Sequence, residues 1–287
     1  MKNALLRLRE ACASLSAAEQ QIARYITEYP EEATLLTVRE LAARTFTSPS
    51  SVVRVCRSVG FDGYKELRRA LVGELAALGD KGRHVEQELT PEDNVRDIVS
   101  KVTRKNIQSL SDSQKLLSAE TVEECALLLD RCRCVILFGL GSSLCVAHAT
   151  YLKFLRLDKP CIINDDWHAQ LLSARNSIPQ DVAIVFSYSG QTVEMIQCME
   201  TLKQNGTPII AITRYSPSQV AELADYKLYI AANESLFRNG AMSSRIAQLN
   251  VIDILYTAYA RLHYDDTLRA LTRTHIYKPG EQEDSAP

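Results

Sequence analysis

Between Cys134 and Ile230 five short apolar runs alternate with stretches of helical period: Cys134 to Phe138, Pro160 to Ile163, Val182 to Phe186, Pro208 to Ile212 and Lys227 to Ile230. Runs of this length, bounded by turn residues and separated by helices, describe a parallel sheet covered on both faces. In such sheets ligands sit beyond the carboxyl ends of the strands. The loops that follow the runs are therefore where function is expected.

The amino-terminal part has a different texture. From Asn3 to about Leu78 the pattern is helical, with short breaks at Tyr29-Pro30, Thr45 to Pro49 and Gly60 to Gly63. A small all-α domain is expected over residues 1–78, followed by a linker over 79–94 that holds Gly79, Gly82 and Pro91. Two helices, about Pro91 to Leu110 and Ala119 to Asp130, lead into an α/β domain over 95–278, and a polar tail over 279–287 is expected to be disordered.

A chain of 287 residues is long enough for two such cores. Its 46% hydrophobic and 24% charged residues argue against extensive disorder, and its amino-terminal helical pattern is interrupted by Lys2, Arg7 and Arg9. No uninterrupted apolar segment offers a signal peptide or membrane span, so a cytoplasmic protein is expected. The cysteines at 12, 56, 125, 132, 134, 145, 161 and 198 form no C-x-x-C pair and have no histidine at finger spacing. They read as small buried hydrophobes in a reducing compartment, with no metal and no cofactor expected.

The net charge is −2, which by itself does not suggest nucleic-acid binding. Its distribution does. Between Thr37 and Val72 seven bases (Arg39, Arg44, Arg54, Arg57, Lys65, Arg68, Arg69) face three acids (Glu40, Asp62, Glu66), a local net charge of +4. Within this segment Thr37 and Glu40 have capping-box spacing ahead of a helix whose apolar face is Val38, Leu41 and Ala42. The turn Thr45-Phe46-Thr47-Ser48 then leads into a second helix with Ser48 as N-cap and Pro49 at its first position. That is the signature of a helix-turn-helix unit.

In the second helix Val52, Val55, Cys56 and Val59 can pack inward, leaving Ser50, Ser51, Arg54, Arg57 and Ser58 outward. A major groove about 12 Å wide admits such a helix amino end first, placing Ser50, Ser51 and Arg54 at base edges or phosphates. Arg57, Lys65, Arg68 and Arg69 suit backbone contacts, and the capping residues Thr37 and Ser48 are also expected at the DNA. The competing reading is a basic helix surface that only meets water, or a domain that serves only for dimerisation or protein docking. One unit neutralises few phosphates, so a homo-oligomer that pairs two units on operator DNA is expected.

Two strand-turn-helix segments carry the chemistry of the second domain. Val135 to Phe138 runs into Gly139-Leu140-Gly141-Ser142-Ser143, and Val182 to Phe186 into Ser187-Tyr188-Ser189-Gly190-Gln191-Thr192. Glycines let backbone approach a ligand, and a helix amino terminus offers unpaired N–H groups to an anion. A dinucleotide fingerprint would put a third glycine three positions after Gly141, where Leu144 stands. The hydroxyls instead favour a compact phosphate or polyol. Ordinary helix capping is the bland account of Ser187, Ser189 and Thr192.

On the segments Thr37 to Phe61, Phe138 to Ser143, Ser187 to Thr192 and Ala241 to Leu249, in this order, the chain resembles the RpiR/MurR family of transcriptional regulators. The resemblance runs from about Leu5 to Leu262. It implies a sugar isomerase (SIS) domain of three α/β/α layers with a five-stranded parallel sheet, a dimer or tetramer, and an effector that is a phosphorylated sugar or sugar acid. It further implies that Ser142, Ser143, Ser187, Ser189 and Thr192 bind that effector, and that Ser243, Ser244 and Arg245 match the late motif at the pocket or a subunit contact. Gly139, Gly141, Gly190 and Gln191 complete the two loops, and Glu234 is expected on the sugar hydroxyls.

SIS domains also occur in isomerases and lyases, and sugar isomerisation needs a base at an α-carbon. Asp165, Asp166, His168 and Glu234 are the candidates. The bland account makes Asp165 and Asp166 loop acids and His168 a helix cap. A fused DNA-binding unit makes sensing sufficient, so a regulator rather than an enzyme is expected, with phosphosugar isomerase or lyase as the alternative. The expected transmitter between the domains is the 79–94 connector.

Overall fold

The computed structural model describes residues 3–78, 90–232 and 241–276. The amino-terminal part is helical: α1 (Ala4–Ala11), α2 (Ala17–Glu28), α3 (Pro30–Leu35), α4 (Val38–Arg44), α5 (Pro49–Ser58) and α6 (Tyr64–Leu78). Capping fixes several of the starts. Ser16 and Glu19 form a capping box on α2, Pro30 opens α3, and Thr37 and Glu40 form the box expected on α4. Ser48 accepts the Ser51 N–H at the start of α5, with Pro49 in the first turn where a missing N–H is harmless.

The core of this domain is made by one face from each helix. Leu8, Ile22, Ile26, Leu41, Val52, Val55, Leu67 and Leu71 are all buried without exposed surface, and Phe61 closes the cluster. The α4–α5 turn passes through Phe46 at φ +50, in the left-handed region, while Phe46 N–H and Thr47 N–H close the end of α4 on the Ala43 and Ala42 carbonyls. The Phe46 side chain is 95% exposed.

The second part begins with α7 (Val95–Leu116) and α8 (Ala119–Arg131). α7 starts four residues later than Pro91 because Asn94 and Asp97 form a capping box, and it extends to Leu116 beyond the expected Leu110. There follow β1 (Val135–Gly139), α9 (Ser142–Arg156), β2 (Cys161–Ile163), α10 (Trp167–Arg175), β3 (Val182–Phe186) and α11 (Val193–Gln204). The domain closes with β4 (Ile209–Arg214), α12 (Gln219–Leu223), β5 (Tyr226–Ile230), α13 (Met242–Leu262) and α14 (Tyr264–Arg273). Residues 79–89 of the expected linker and the expected tail over 279–287 lie outside the described residues.

The five strands form one all-parallel sheet in the order β2-β1-β3-β4-β5. Side chains alternate between two cores, as strand geometry requires. Val135, Leu137, Val182, Ile184, Phe186, Ile210 and Ile212 pack under α8, α9 and α13, whereas Ile136, Phe138, Ala183, Val185, Ile209 and Ala211 pack under α10, α11 and α12. Both faces are covered, which is why β1 and β3 read as unbroken apolar runs. Among the described residues no helix is long and apolar enough to cross a membrane.

Candidate functional site

The strand order reverses direction at β1: the chain moves outward from β1 to β2, then returns past it to β3. A crevice opens at such a switch point, beyond the carboxyl ends of the two central strands. Gly139 pairs in register with Phe186, so the two hydroxyl-rich turns leave the sheet side by side. Together with the start of α13 they enclose a cavity of about 370 Å³ lined by Leu140, Ser142, Ser143, Phe186, Ser187, Tyr188, Ser189, Thr192, Met195, Ala241 and Ser244.

Local chemistry holds each wall in place. A Cβ on Gly139 would lie 3.0 Å from the backbone C and O of Ser143, so only glycine lets α9 begin this close to β1. Gly141 serves as N-cap at φ +57 and ψ −125, a conformation suited to glycine. In the second turn a Cβ on Gly190 (φ +67) would lie 2.3 Å from Ser218 Oγ, so the turn rests directly on the start of α12. Ser187 Oγ donates to Thr192 Oγ1 at 3.4 Å, and Ser189 Oγ accepts the Gln191 N–H at 3.3 Å.

Three helices open toward this cavity: α9, α11 and α13. None has a side-chain hydrogen bond from its N-cap residue, which is Gly141, Thr192 and Ala241 respectively. By contrast α8, α10 and α12 are closed by Ser118, Asp166 and Ser218. Convergent amino termini concentrate partial positive charge, and the lining offers hydroxyl donors with no carboxylate or imidazole among the described residues. The arrangement suits a small anion that carries hydroxyl groups.

The expected ligand residues do not all reach the cavity. Ser142, Ser143, Ser187, Ser189, Thr192 and Ser244 line it; Gly139, Gly141, Gly190 and Gln191 shape its turns without lining it. Ser243 turns away, donating to Asn106 Oδ1 of α7 at 3.0 Å. Glu234 lies outside the described residues. His168 is not the helix cap expected from sequence: Asp166 takes that position, accepting the Ala169 N–H at 2.9 Å, because a carboxylate is the better acceptor for the first turn. Asp165 instead meets His148 Nε2 at 2.7 Å on the surface, and neither residue lines the cavity.

Sequence reasoning missed Tyr188 and Met195 as wall residues, and two buried amides that support the walls. Gln170 bonds both backbone groups of Gly139, and Gln248 Nε2 approaches Ser143 Oγ at 3.4 Å. A polar residue inside an otherwise apolar helical face was the available signal for both.

On the amino-terminal domain, α4, its turn and α5 form the helix-turn-helix unit. Val52, Val55, Cys56 and Val59 are buried as expected, and Ser48, Ser50, Arg54 and Arg57 are exposed. Ser51 differs from its expected outward placement: it is buried, 3.0 Å from Ser48 Oγ and 3.2 Å from Arg54 Nη2. Arg54 also pairs with Glu19 of α2 at 3.2 Å, and hydrogen bonds from Ser16 come first in holding the Glu19 carboxyl below its usual range. Thr37 and Lys65 are exposed, and Arg68 Nη1 reaches the Leu36 carbonyl at 3.5 Å.

No cluster of three or more metal-ligating side chains occurs among the described residues. Burial pushes the Cys56, Cys125 and Cys161 thiols up to about 12, so at neutral pH they stay protonated.

A helix-turn-helix unit followed by a parallel sheet with its crevice between β1 and β3 defines a two-domain DNA-binding regulator with a SIS domain. Comparison with known proteins agrees: residues 2–78 match the helix-turn-helix domain of the rpiR family, and residues 128–258 match the SIS domain. The chain belongs to the RpiR family of helix-turn-helix transcriptional regulators. It is 38% identical to an uncharacterized HTH-type transcriptional regulator of Caldanaerobacter subterraneus, over 96% of each chain. It is 32% identical to the uncharacterized HTH-type transcriptional regulator YbbH of Bacillus subtilis, over 91% of each chain. Among solved structures, the Vibrio vulnificus NanR protein complexed with ManNAc-6P superposes with a TM-score of 0.59 at 25% identity, covering 95% of this chain and 97% of that one.

Proposed function

We propose that this regulator binds a phosphorylated sugar or sugar acid in the crevice between β1 and β3, and that occupancy changes its affinity for operator DNA. The convergence of three helix amino termini, none capped by its N-cap residue, on a hydroxyl-lined cavity carries the reading. The phosphate takes the N–H groups at the starts of α9 and α11 together with Ser142, Ser143, Ser187, Ser189 and Thr192; the sugar extends toward Tyr188 and Ser244. The similarity to NanR, solved with ManNAc-6P, supports the effector class.

Ser50, Arg54, Arg57 and Lys65 meet the operator, with Ser48 and Thr37 at the phosphates, in a cytoplasmic homo-oligomer that pairs two such units. The 79–94 segment joins the domains. Sensing rather than turnover fits a cavity whose described lining has hydroxyls but no carboxylate or imidazole to move a proton.

Thermal-shift titration with phosphorylated sugars and sugar acids tests the reading. Binding to the folded state raises Tm with ligand excess over Kd. One compound is expected to shift the wild type and not the Ser142→Ala/Ser189→Ala variant, while both bind operator equally without it. A panel that shifts neither protein overturns the proposal.

A further inference from the structure

The cavity and α5 lie in different domains, yet an unbroken set of contacts joins them. Tyr188, on the cavity wall, donates from its hydroxyl to the Ala232 carbonyl at 2.6 Å. The Ala232 backbone N–H faces the carboxyl of Glu10 on α1 and favours its anion. The Tyr188 carbonyl accepts the Arg214 N–H at 3.2 Å, and the Arg214 guanidinium lies 5.9 Å from the Tyr188 ring centre.

A second set of contacts starts at the next residue. Tyr215 packs edge-on against Tyr229 with ring centres 4.8 Å apart and lies 4.9 Å from the Arg7 guanidinium of α1. The Tyr215 hydroxyl donates to the carbonyl of Val59, the C-cap of α5, at 3.3 Å, and Arg7 Nη1 approaches the same carbonyl at 3.4 Å. Gly60 makes room for this junction. It sits at φ +81, and a Cβ there would be 2.9 Å from Arg7 Nη1 and 3.1 Å from the Tyr215 hydroxyl.

We propose that these contacts are an interdomain latch through which the cavity wall at Tyr188 sets the position of α1 and of the carboxyl end of α5. The inference rests on the effector reading above for its input, and it replaces the linker with a packed junction as the transmitter. An effector seated on Ser187 and Ser189 displaces Tyr188, and with it Ala232 and Arg214. Two-state coupling between sites needs an element that both bias, and α1 touches both sets of contacts.

The latch contains a titratable group. Glu10 is 7% exposed, and burial pushes its carboxyl up to about 8. Arg214 from the end of β4 and Arg9 on its own helix oppose that rise, Asp112 of α7 adds to it, and the Ala232 N–H favours the anion. Asp112 itself is bonded by Lys115 at 2.7 Å and Gln108 at 2.9 Å. Docked, Glu10 keeps its proton at neutral pH; released into water, it returns to the ordinary carboxyl value of 4.5 and ionises. Its docked pKa is the higher one, so the docked arrangement is fully favoured below about 4.5 and loses that advantage as pH rises through about 8.

Hydrogen exchange on the full chain tests the latch, with ManNAc-6P, glucosamine 6-phosphate and inorganic phosphate as probes. A probe that protects 187–192 in the wild type is expected to change exchange several-fold at 4–12 and 56–61. In Tyr215→Leu and in Arg7→Met the protection at 187–192 remains and the remote change disappears. A remote change that survives both substitutions, or 187–192 protected with no remote change in the wild type, overturns the latch alone. Protection of 187–192 by no probe overturns the effector reading, and the latch is then judged without ligand. Between pH 6 and pH 9, after correction for intrinsic exchange, 4–12 is expected to open several-fold in the wild type and not in Glu10→Gln; equal behaviour overturns it.

Discussion

Gln170 grips Gly139 by both of its backbone groups: Oε1 accepts the Gly139 N–H at 3.1 Å and Nε2 donates to the Gly139 carbonyl at 2.9 Å. The same Nε2 reaches the Asn164 carbonyl at 3.0 Å, so one fully buried amide ties the end of β1 to the loop after β2. The edge strand, only three residues long, draws its alignment at the carboxyl end partly from this side chain.

Replacing Gln170 by Leu keeps the volume and removes these bonds. A buried group left unpaired costs about 1–3 kcal/mol, so Gln170→Leu is expected to lower stability by about 2–4 kcal/mol. Urea denaturation measures the loss, and effector affinity should fall with it because the Gly139–Ser143 turn loosens.

Gly190→Ala is expected to abolish effector binding at concentrations that saturate the wild type. The added methyl meets Ser218 Oγ and Cβ, both inside contact distance, at a φ that L residues rarely adopt. Gly141→Ala meets nothing within 4 Å and bears only the backbone strain, so its loss should be smaller. Calorimetric titration of the two variants ranks them.

Phe46→Gly should raise stability. A left-handed non-glycine residue costs roughly 1–2 kcal/mol, offset in part by the backbone entropy of glycine, which leaves a gain of about 0.5–1 kcal/mol. The ring is almost wholly in solvent, so no core contact is lost. A higher midpoint in thermal unfolding confirms it.

Arg57→Ala is expected to reduce the slope of log affinity against log salt by about 1 for operator DNA, as loss of one phosphate contact does. Glu19→Gln should act in the opposite direction, strengthening operator binding, because it releases Arg54 from its carboxylate partner. Fluorescence anisotropy across a salt series reads both.

The sheet was visible in the sequence because strands buried on both faces leave continuous apolar runs, and β3 and α11 begin and end where those runs and their flanking turns place them. The α4 capping box and the Ser48-Pro49 start of α5 were equally local, each needing only residues within one helical turn. Ser51 misled because its i, i+3 relation to Ser48 and Arg54 turns a small polar residue inward. The serine-rich turns of the cavity were visible as well. Gln170, Tyr188 and Glu10 were not, since their partners stand 31, 44 and about 220 positions away. A polar side chain satisfied across such separations at most interrupts an apolar face, and nothing local names its partner.

All five strands point the same way, so the crevice gathers at one rim of the sheet while the opposite rim is occupied by fixed pairings: Arg133 with Asp181 at 2.8 Å and Lys203 with Asp225 at 2.6 Å. Chemical selectivity and mechanical support are thereby given to different ends of the same strands. A substitution in the turns can alter what the crevice accepts without disturbing the pairings that hold the far rim.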